Sequence, residues 1–287
     1  MCDEFIHPGL VEDPRISRRT FGLITAAVAG AASSAMAQAK VVEKDVDVKT
    51  ADGVCDAALY YPEGQGRWPA VLIWTDIMGL RPAFRDMGRR LASQGYVVLV
   101  PNPFYRSKRA PVMEGPIDFG NAATRNTLMG FRAAMTDDGV ERDAKAFLAF
   151  LDAQAQTDTG KKAGVQGYCM GGALAFQTAA ADVGRIAAVG SFHGGNGLVT
   201  SQPDSPHLLI SKTNATFVVC QARNDDAQQP TVKDALKAAF AAAGRPATVE
   251  VYPADHGWCV PGGQTYDAAA AERAWAALTK LYQTMLA

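Results

Sequence analysis

The sequence predicts an α/β protein: a mostly parallel central sheet with an N-terminal antiparallel hairpin and helices on both faces. Three observations predict it. Strand-like and helix-like segments alternate along the chain from about Val46 onward. Segments such as Pro69–Thr75 (PAVLIWT) and Tyr96–Val100 are almost continuously apolar, as strands buried on both faces must be. Between such runs, helix-like stretches keep one apolar face, as in Val140, Ala144, Phe147, Leu148 and Leu151. Strands that alternate with helices pair in parallel, because each crossover returns over one face of the sheet.

Each element has a local reason. Val46–Thr50 and Val54–Tyr61 are β-rich and flank Ala51-Asp52-Gly53, a hairpin connection. Pro69–Thr75 is the next strand. Pro82–Gln94 reads as a helix closed by Gly95, and Tyr96–Val100 as a buried strand. The long stretch Pro101–Thr136 carries Arg106, Lys108, Arg109, Arg125 and Arg132. It reads as a lid over a site or as a solvated excursion with short helices. Asp137–Ala155 is a helix, Ala163–Gly167 a strand and Met170–Ala181 a small-residue helix. Ile186–Phe192 and Thr216–Gln221 are strands, Thr231–Ala243 a helix, Ala247–Tyr252 a strand and Asp267–Leu286 a closing helix. No repeat or Pro/Ser-rich linker divides residues 38–287, which therefore read as a single domain.

Composition narrows the function. The 287 residues include 28 Lys plus Arg and 29 Asp plus Glu, with 48% hydrophobic and 20% charged residues. That is a globular composition. The balanced charge argues against nucleic-acid binding and against a polybasic membrane-surface role. Five cysteines are too sparse for a disulfide scaffold. A mean hydropathy of −0.04 excludes a multi-span membrane protein.

One apolar stretch, Phe21–Ala32, needs its own account. It follows Ser17-Arg18-Arg19-Thr20-Phe21 and precedes Ala35-Met36-Ala37, a small-x-small cut site, with Ala37-Gln38-Ala39 as a second. Residues 1–37 therefore read as a twin-arginine-type export signal. The run is too short and alanine-rich for a membrane anchor, which needs about 20 apolar residues. The expected partner is the twin-arginine export machinery. The expected location is periplasmic or secreted, with no stable membrane association after cleavage. The segment takes three basic and four acidic residues with it, so 25 of each remain and the formal charge is zero. Cys55, Cys169, Cys220 and Cys259 stay.

Gly167-Tyr168-Cys169-Met170-Gly171-Gly172 follows a strand and opens a helix. This is the G-x-nucleophile-x-G elbow, with Cys where Ser is usual. Side chains at the flanking glycines would collide with strand and helix. The helix N-terminus favours a thiolate and an oxyanion. A small Cys buried in a tight β–α turn would look the same, so the downstream residues decide. Ala222-Arg223-Asn224-Asp225-Asp226 and Pro253-Ala254-Asp255-His256-Gly257 each follow a strand. Nucleophile, acid, histidine is the α/β-hydrolase order.

His256 is thus the base for Cys169, and Asp225 the acid that fixes its tautomer, with Asp226 as the alternative. Asp255 is too near His256 in sequence to orient it. Of His193, His207 and His256, only His256 follows the last strand. The Met170 and Ile77 N–H groups are the expected oxyanion hole. His193-Gly194-Gly195 is like a lipase oxyanion sequence but follows the nucleophile in the chain, so it reads as a turn after a strand. Neither metal-ligand spacing nor a nucleotide-binding glycine loop is present, so no metal and no cofactor are expected.

The segments Thr75-Asp76-Ile77-Met78-Gly79, Gly167–Gly172, Asp225 and His256-Gly257-Trp258 resemble the dienelactone hydrolase (carboxymethylenebutenolidase) family. The resemblance runs from about Val46 to the C-terminus. It implies the α/β-hydrolase fold and cofactor-independent cleavage of a small-molecule ester or lactone through an acyl-cysteine. It also implies a triad of Cys169, His256 and Asp225. Asp76 stands where the family has a Glu that contacts the thiol. Arg106 matches an arginine that binds the substrate carboxylate in dienelactone-cleaving members. Val260 stands where those members have a second arginine, so the grip on a carboxylate is incomplete. Trp258 and Val260 imply a more apolar pocket. Two other readings are a non-catalytic binding protein on this scaffold and a thiol redox sensor with Cys259 as the resolving candidate.

Overall fold

The computed structural model describes residues 39–115 and 117–287, so the expected export signal at 1–37 lies outside the described residues. β1 (Val41–Thr50) and β2 (Gly53–Pro62) form the expected antiparallel hairpin. β1 begins five residues before the expected Val46. Charged Glu43 on this edge strand is neutralised from outside by Arg89 of the first helix, at 2.6 Å. Such pairing lets an edge strand run through a charged stretch.

β3 (Ala70–Trp74), β4 (Val97–Pro101), β5 (Ala163–Tyr168), β6 (Ile186–Phe192), β7 (Thr216–Ala222) and β8 (Ala247–Tyr252) complete an eight-stranded sheet. Its order is β1-β2-β4-β3-β5-β6-β7-β8. β2 pairs antiparallel with β4, and every later pairing is parallel. The chain passes from β3 outward to β4 and then back across β3 to β5. The order therefore reverses at β3, and in such sheets ligands bind at the carboxyl ends beside the reversal.

Helices cover both faces. α1 (Pro82–Ala92) lies on one face, while α2 (Ala122–Ala133), α3 (Asp137–Asp152) and α4 (Met170–Ala181) lie on the other. Short α5 (Pro206–Leu209) and α6 (Arg223–Gln228) precede α7 (Thr231–Ala243), and α8 (Ala268–Met285) closes the chain beside α1. Pro82 supplies the first turn of α1, and Gly95 leaves its end at φ +95°. β3 is welded to α4 by a buried hydrogen bond of 2.8 Å from Trp74 Nε1 to Thr178 Oγ1.

The stretch after β4 is neither a free lid nor a solvated excursion. Phe104, Val112, Ile117, Phe119, Leu128 and Met135 are buried in the main core. α2 starts at Asn121, whose side chain accepts from the Ala123 and Thr124 N–H groups. Among the described residues, no helix is long and apolar enough to cross a membrane.

Candidate active site

The carboxyl ends of β3, β5, β6, β7 and β8 deliver the site residues. Cys169 lies between β5 and α4 with φ +53°. The glycines around it are sterically required. A Cβ on Gly167 would lie 1.8 Å from the Gly171 carbonyl oxygen, and one on Gly171 2.5 Å from the Thr75 oxygen. A Cβ on Gly172 would lie 2.7 Å from Ser191 Oγ. The elbow is thus pressed against both the β3 end and β6, and Cys169 is 2% exposed.

The loops after β7 and β8 bring acid and histidine together. His256 Nδ1 lies 2.8 Å from Asp225 Oδ2, and both side chains are 5% exposed. The ionised carboxylate can only accept, so Nδ1 carries the proton and Nε2 is left as the basic nitrogen. The backbone fixes this pair. His256 N–H donates to Asn224 Oδ1 at 2.8 Å, and Thr265 Oγ1 donates to the His256 carbonyl at 2.8 Å. Gly195, at φ +54°, lies so close that a Cβ there would be 3.1 Å from Asp225 Oδ2. Asp226 is engaged elsewhere, by Lys233 Nζ at 2.6 Å, and Asp255 by Arg223 at 2.9 Å.

The β3 loop folds around Asp76. Its Oδ1 accepts from Met78 N–H at 2.9 Å and from Arg81 Nη1 at 2.7 Å, and its Oδ2 accepts from Arg81 Nη2 at 2.8 Å. Gly79 N–H donates to the Asp76 carbonyl at 3.0 Å. Asp76 therefore anchors the loop that carries Ile77. Both carboxylate oxygens take part in a buried bidentate ion pair with Arg81. Neither Ile77 N–H nor Met170 N–H belongs to these loop-holding bonds. Met170 opens α4, where the first N–H groups have no intrahelical acceptor. Beside the loop is a cavity of about 220 Å³ lined by Met78, Leu80, Arg81, Val112, Met113 and Ile117.

Two residues expected at the substrate have protein partners of their own. Arg106 donates to Asp52 at 2.6 Å and to Asp143 at 2.7 and 2.9 Å, and reaches the Gly139 carbonyl at 3.3 Å. Its fork ties the hairpin turn to the start of α3, and two carboxylates already neutralise it. Trp258 is fully buried. It stacks on Tyr252 with centroids 4.6 Å apart and planes 9° apart, so it supports the histidine loop rather than lining a pocket.

Two residues of this site escaped the sequence reading. Asn224 and Arg81 sit next to motif residues but bear no pattern of their own. His193 was visible as part of a His-Gly-Gly turn; its ring lies edge-on to His256, with centroids 4.7 Å apart. Burial pushes Cys220 up to about 12 and raises Cys55 and Cys259 as well. These three and Cys169 are free thiols. Among the described residues, no group of three or more His, Cys, Asp or Glu side chains could hold a metal ion.

An elbow cysteine and an Asp–His pair at the carboxyl edge of this sheet define an α/β-hydrolase. Comparison with known proteins sharpens the class. The model of the dienelactone hydrolase family matches residues 55–286. The chain belongs to that family and is a hydrolase of the ester and lactone type. It is 36% identical over 117 residues to a carboxymethylenebutenolidase of Pseudomonas sp. strain P51, covering 40% of this chain and 46% of that protein. It is 26% identical over 194 residues to a carboxymethylenebutenolidase of Rhodococcus opacus, covering 68% of this chain and 71% of that protein. The crystal structure of a dienelactone hydrolase-like promiscuous phosphotriesterase from metagenomic libraries superposes with a TM-score of 0.70 at 24% identity. It covers 86% of this chain and all of that one (100%), and so supports the fold.

Proposed function

We propose that the protein hydrolyses uncharged esters or lactones through an acyl-cysteine formed by Cys169, His256 and Asp225. The observation that carries this is the buried Asp225–His256 contact at the same sheet edge as the elbow cysteine. His256 Nε2 takes the thiol proton, and the sulfur attacks the carbonyl carbon. The Met170 and Ile77 N–H groups hold the oxyanion, as preorganised donors aimed at developing charge. Collapse breaks the C–O bond, and the imidazolium protonates the leaving alkoxide. Water then gives a proton to His256 and its oxygen to the thioester carbon. The C–S bond breaks, and the thiolate recovers the proton. With a lactone the alcohol stays attached, and the product is a single hydroxy acid.

Two features support an uncharged substrate. Arg106 is neutralised by Asp52 and Asp143, and Val260 is no cation. The test is a panel of aryl esters and lactones, each with and without a free carboxylate, on wild type and Cys169→Ala. The expected result is preference for uncharged members and loss of hydrolysis in the variant. Full activity in Cys169→Ala would remove the nucleophile assignment.

The proposal includes export. Ser17-Arg18-Arg19-Thr20-Phe21 and the Ala35-Met36-Ala37 exit support twin-arginine transport to the periplasm. An N-terminus beginning near residue 38 in periplasmic protein, lost on Arg18→Lys with Arg19→Lys, is the expected result. An intact N-terminus in the cytoplasm contradicts it.

A further inference from the structure

Among the described non-glycine residues, only Cys169 and His193 have positive φ, at +53° and +39°. The two are bonded to each other. Cys169 N–H is shared between the Phe192 carbonyl at 3.0 Å and His193 Nδ1 at 3.1 Å. A left-handed backbone is uncommon outside glycine and persists where the surroundings over-determine it, as they do at functional sites. Here the surroundings do so on every side. His193 N–H donates to the Cys220 carbonyl at 2.7 Å. Its ring is fully buried, edge-on to His256, and within 6.3 Å of the rings of Tyr168 and Trp258.

We propose that His193 is a positioning residue of the hydrolytic site, held as its neutral Nε2–H tautomer. The proposal rests on the triad reading above and adds a residue to it. Because Nδ1 accepts the Cys169 N–H, it carries no proton, and the neutral ring keeps its proton on Nε2. A charged ring would lose that acceptor and stand a positive charge against His256. The one side chain thus fixes two things. Its Nδ1 fixes the backbone that aims the Cys169 sulfur and the next N–H, that of Met170. Its edge fixes the plane of the His256 imidazole, which Asp225 holds only at Nδ1. The strained turn is what lets a residue at the end of β6 reach both.

Two variants separate positioning from mere filling. His193→Asn keeps a side-chain acceptor on a residue that tolerates the left-handed backbone, whereas His193→Gly removes the acceptor and relieves the strain. Full-length enzyme is assayed for kcat and KM on an aryl ester and, separately, for the rate of Cys169 alkylation by iodoacetamide. In His193→Gly, kcat falls about tenfold with KM little changed, the effect of about one hydrogen bond. Alkylation slows in parallel, and His193→Asn restores most of both. Wild-type kcat and alkylation in His193→Gly overturn the proposal. So does a His193→Asn variant that folds but loses about tenfold or more in kcat, and this second criterion stands even if His193→Gly does not fold. The alkylation readout needs no hydrolysis. A failure of the esterase reading, seen as an active Cys169→Ala, is therefore distinct from a failure of the His193 assignment.

Discussion

Asp225→Asn isolates the hydrogen bond on which the base depends. The substitution keeps the shape and removes the charge. Asn can turn its amide N–H toward His256 Nδ1, which must then accept, and the ring proton moves to Nε2. Nε2 can no longer take the thiol proton. The contact is short, at 2.8 Å, and both groups are 5% exposed, so solvent screens it little. A hydrogen bond to a charged group contributes about 1.5–3 kcal/mol, and a buried donor or acceptor left unsatisfied costs about 1–3 kcal/mol. Together these give about 2.5–6 kcal/mol on the barrier, or roughly 10²–10⁴ in kcat. Asp226→Asn is the control. Its partner is Lys233, and the two side chains are 21% and 27% exposed, so the loss should be under about 1 kcal/mol. The assay is kcat on an aryl ester, with circular dichroism to check folding. Asp225→Asn with near wild-type kcat, or Asp226→Asn falling as far, refutes the assignment.

The remaining predictions concern the thiols and Arg106. Iodoacetamide at pH 8 should label Cys169 alone in the native protein, because burial raises the other three thiols and leaves them almost no thiolate. Peptide mapping reads this, and fast labelling of Cys220 would contradict it. Arg106→Ala should destabilise the fold by about 3 kcal/mol by stranding Asp143, which is 1% exposed. It should leave the relative KM of charged and uncharged substrates unchanged. A rise in KM confined to carboxylate-bearing substrates would return Arg106 to substrate binding.

The sheet was legible because its strands announce themselves. β3 and β4 are unbroken apolar runs, and α1 between them keeps one apolar face. The start of β1 was hidden because Glu43, Lys44 and Asp45 read as polar loop until the arginines of α1 are seen against them. In the site, Cys169, Asp225 and His256 could be named because each sits in a short linear pattern after a strand. The choice of Asp225 over Asp226 needed three dimensions, since the residues are adjacent and only one faces His256. The ion pairs of Arg106 were hidden for a related reason. The carboxylates that occupy it, Asp52 and Asp143, lie 54 and 37 residues away in sequence. The contact of the His193 ring with the elbow was hidden because the two residues lie 24 positions apart in sequence.

The proposed reaction turns on a covalent bond from Cys169 to the acyl group. The most direct measurement is intact and peptide mass spectrometry of enzyme quenched within milliseconds of mixing with an activated aryl ester. The account predicts a mass increase equal to the acyl group, carried by the peptide containing Cys169 and absent from Cys169→Ala. Turnover without any adduct on that peptide, or undiminished turnover by Cys169→Ala, would contradict it.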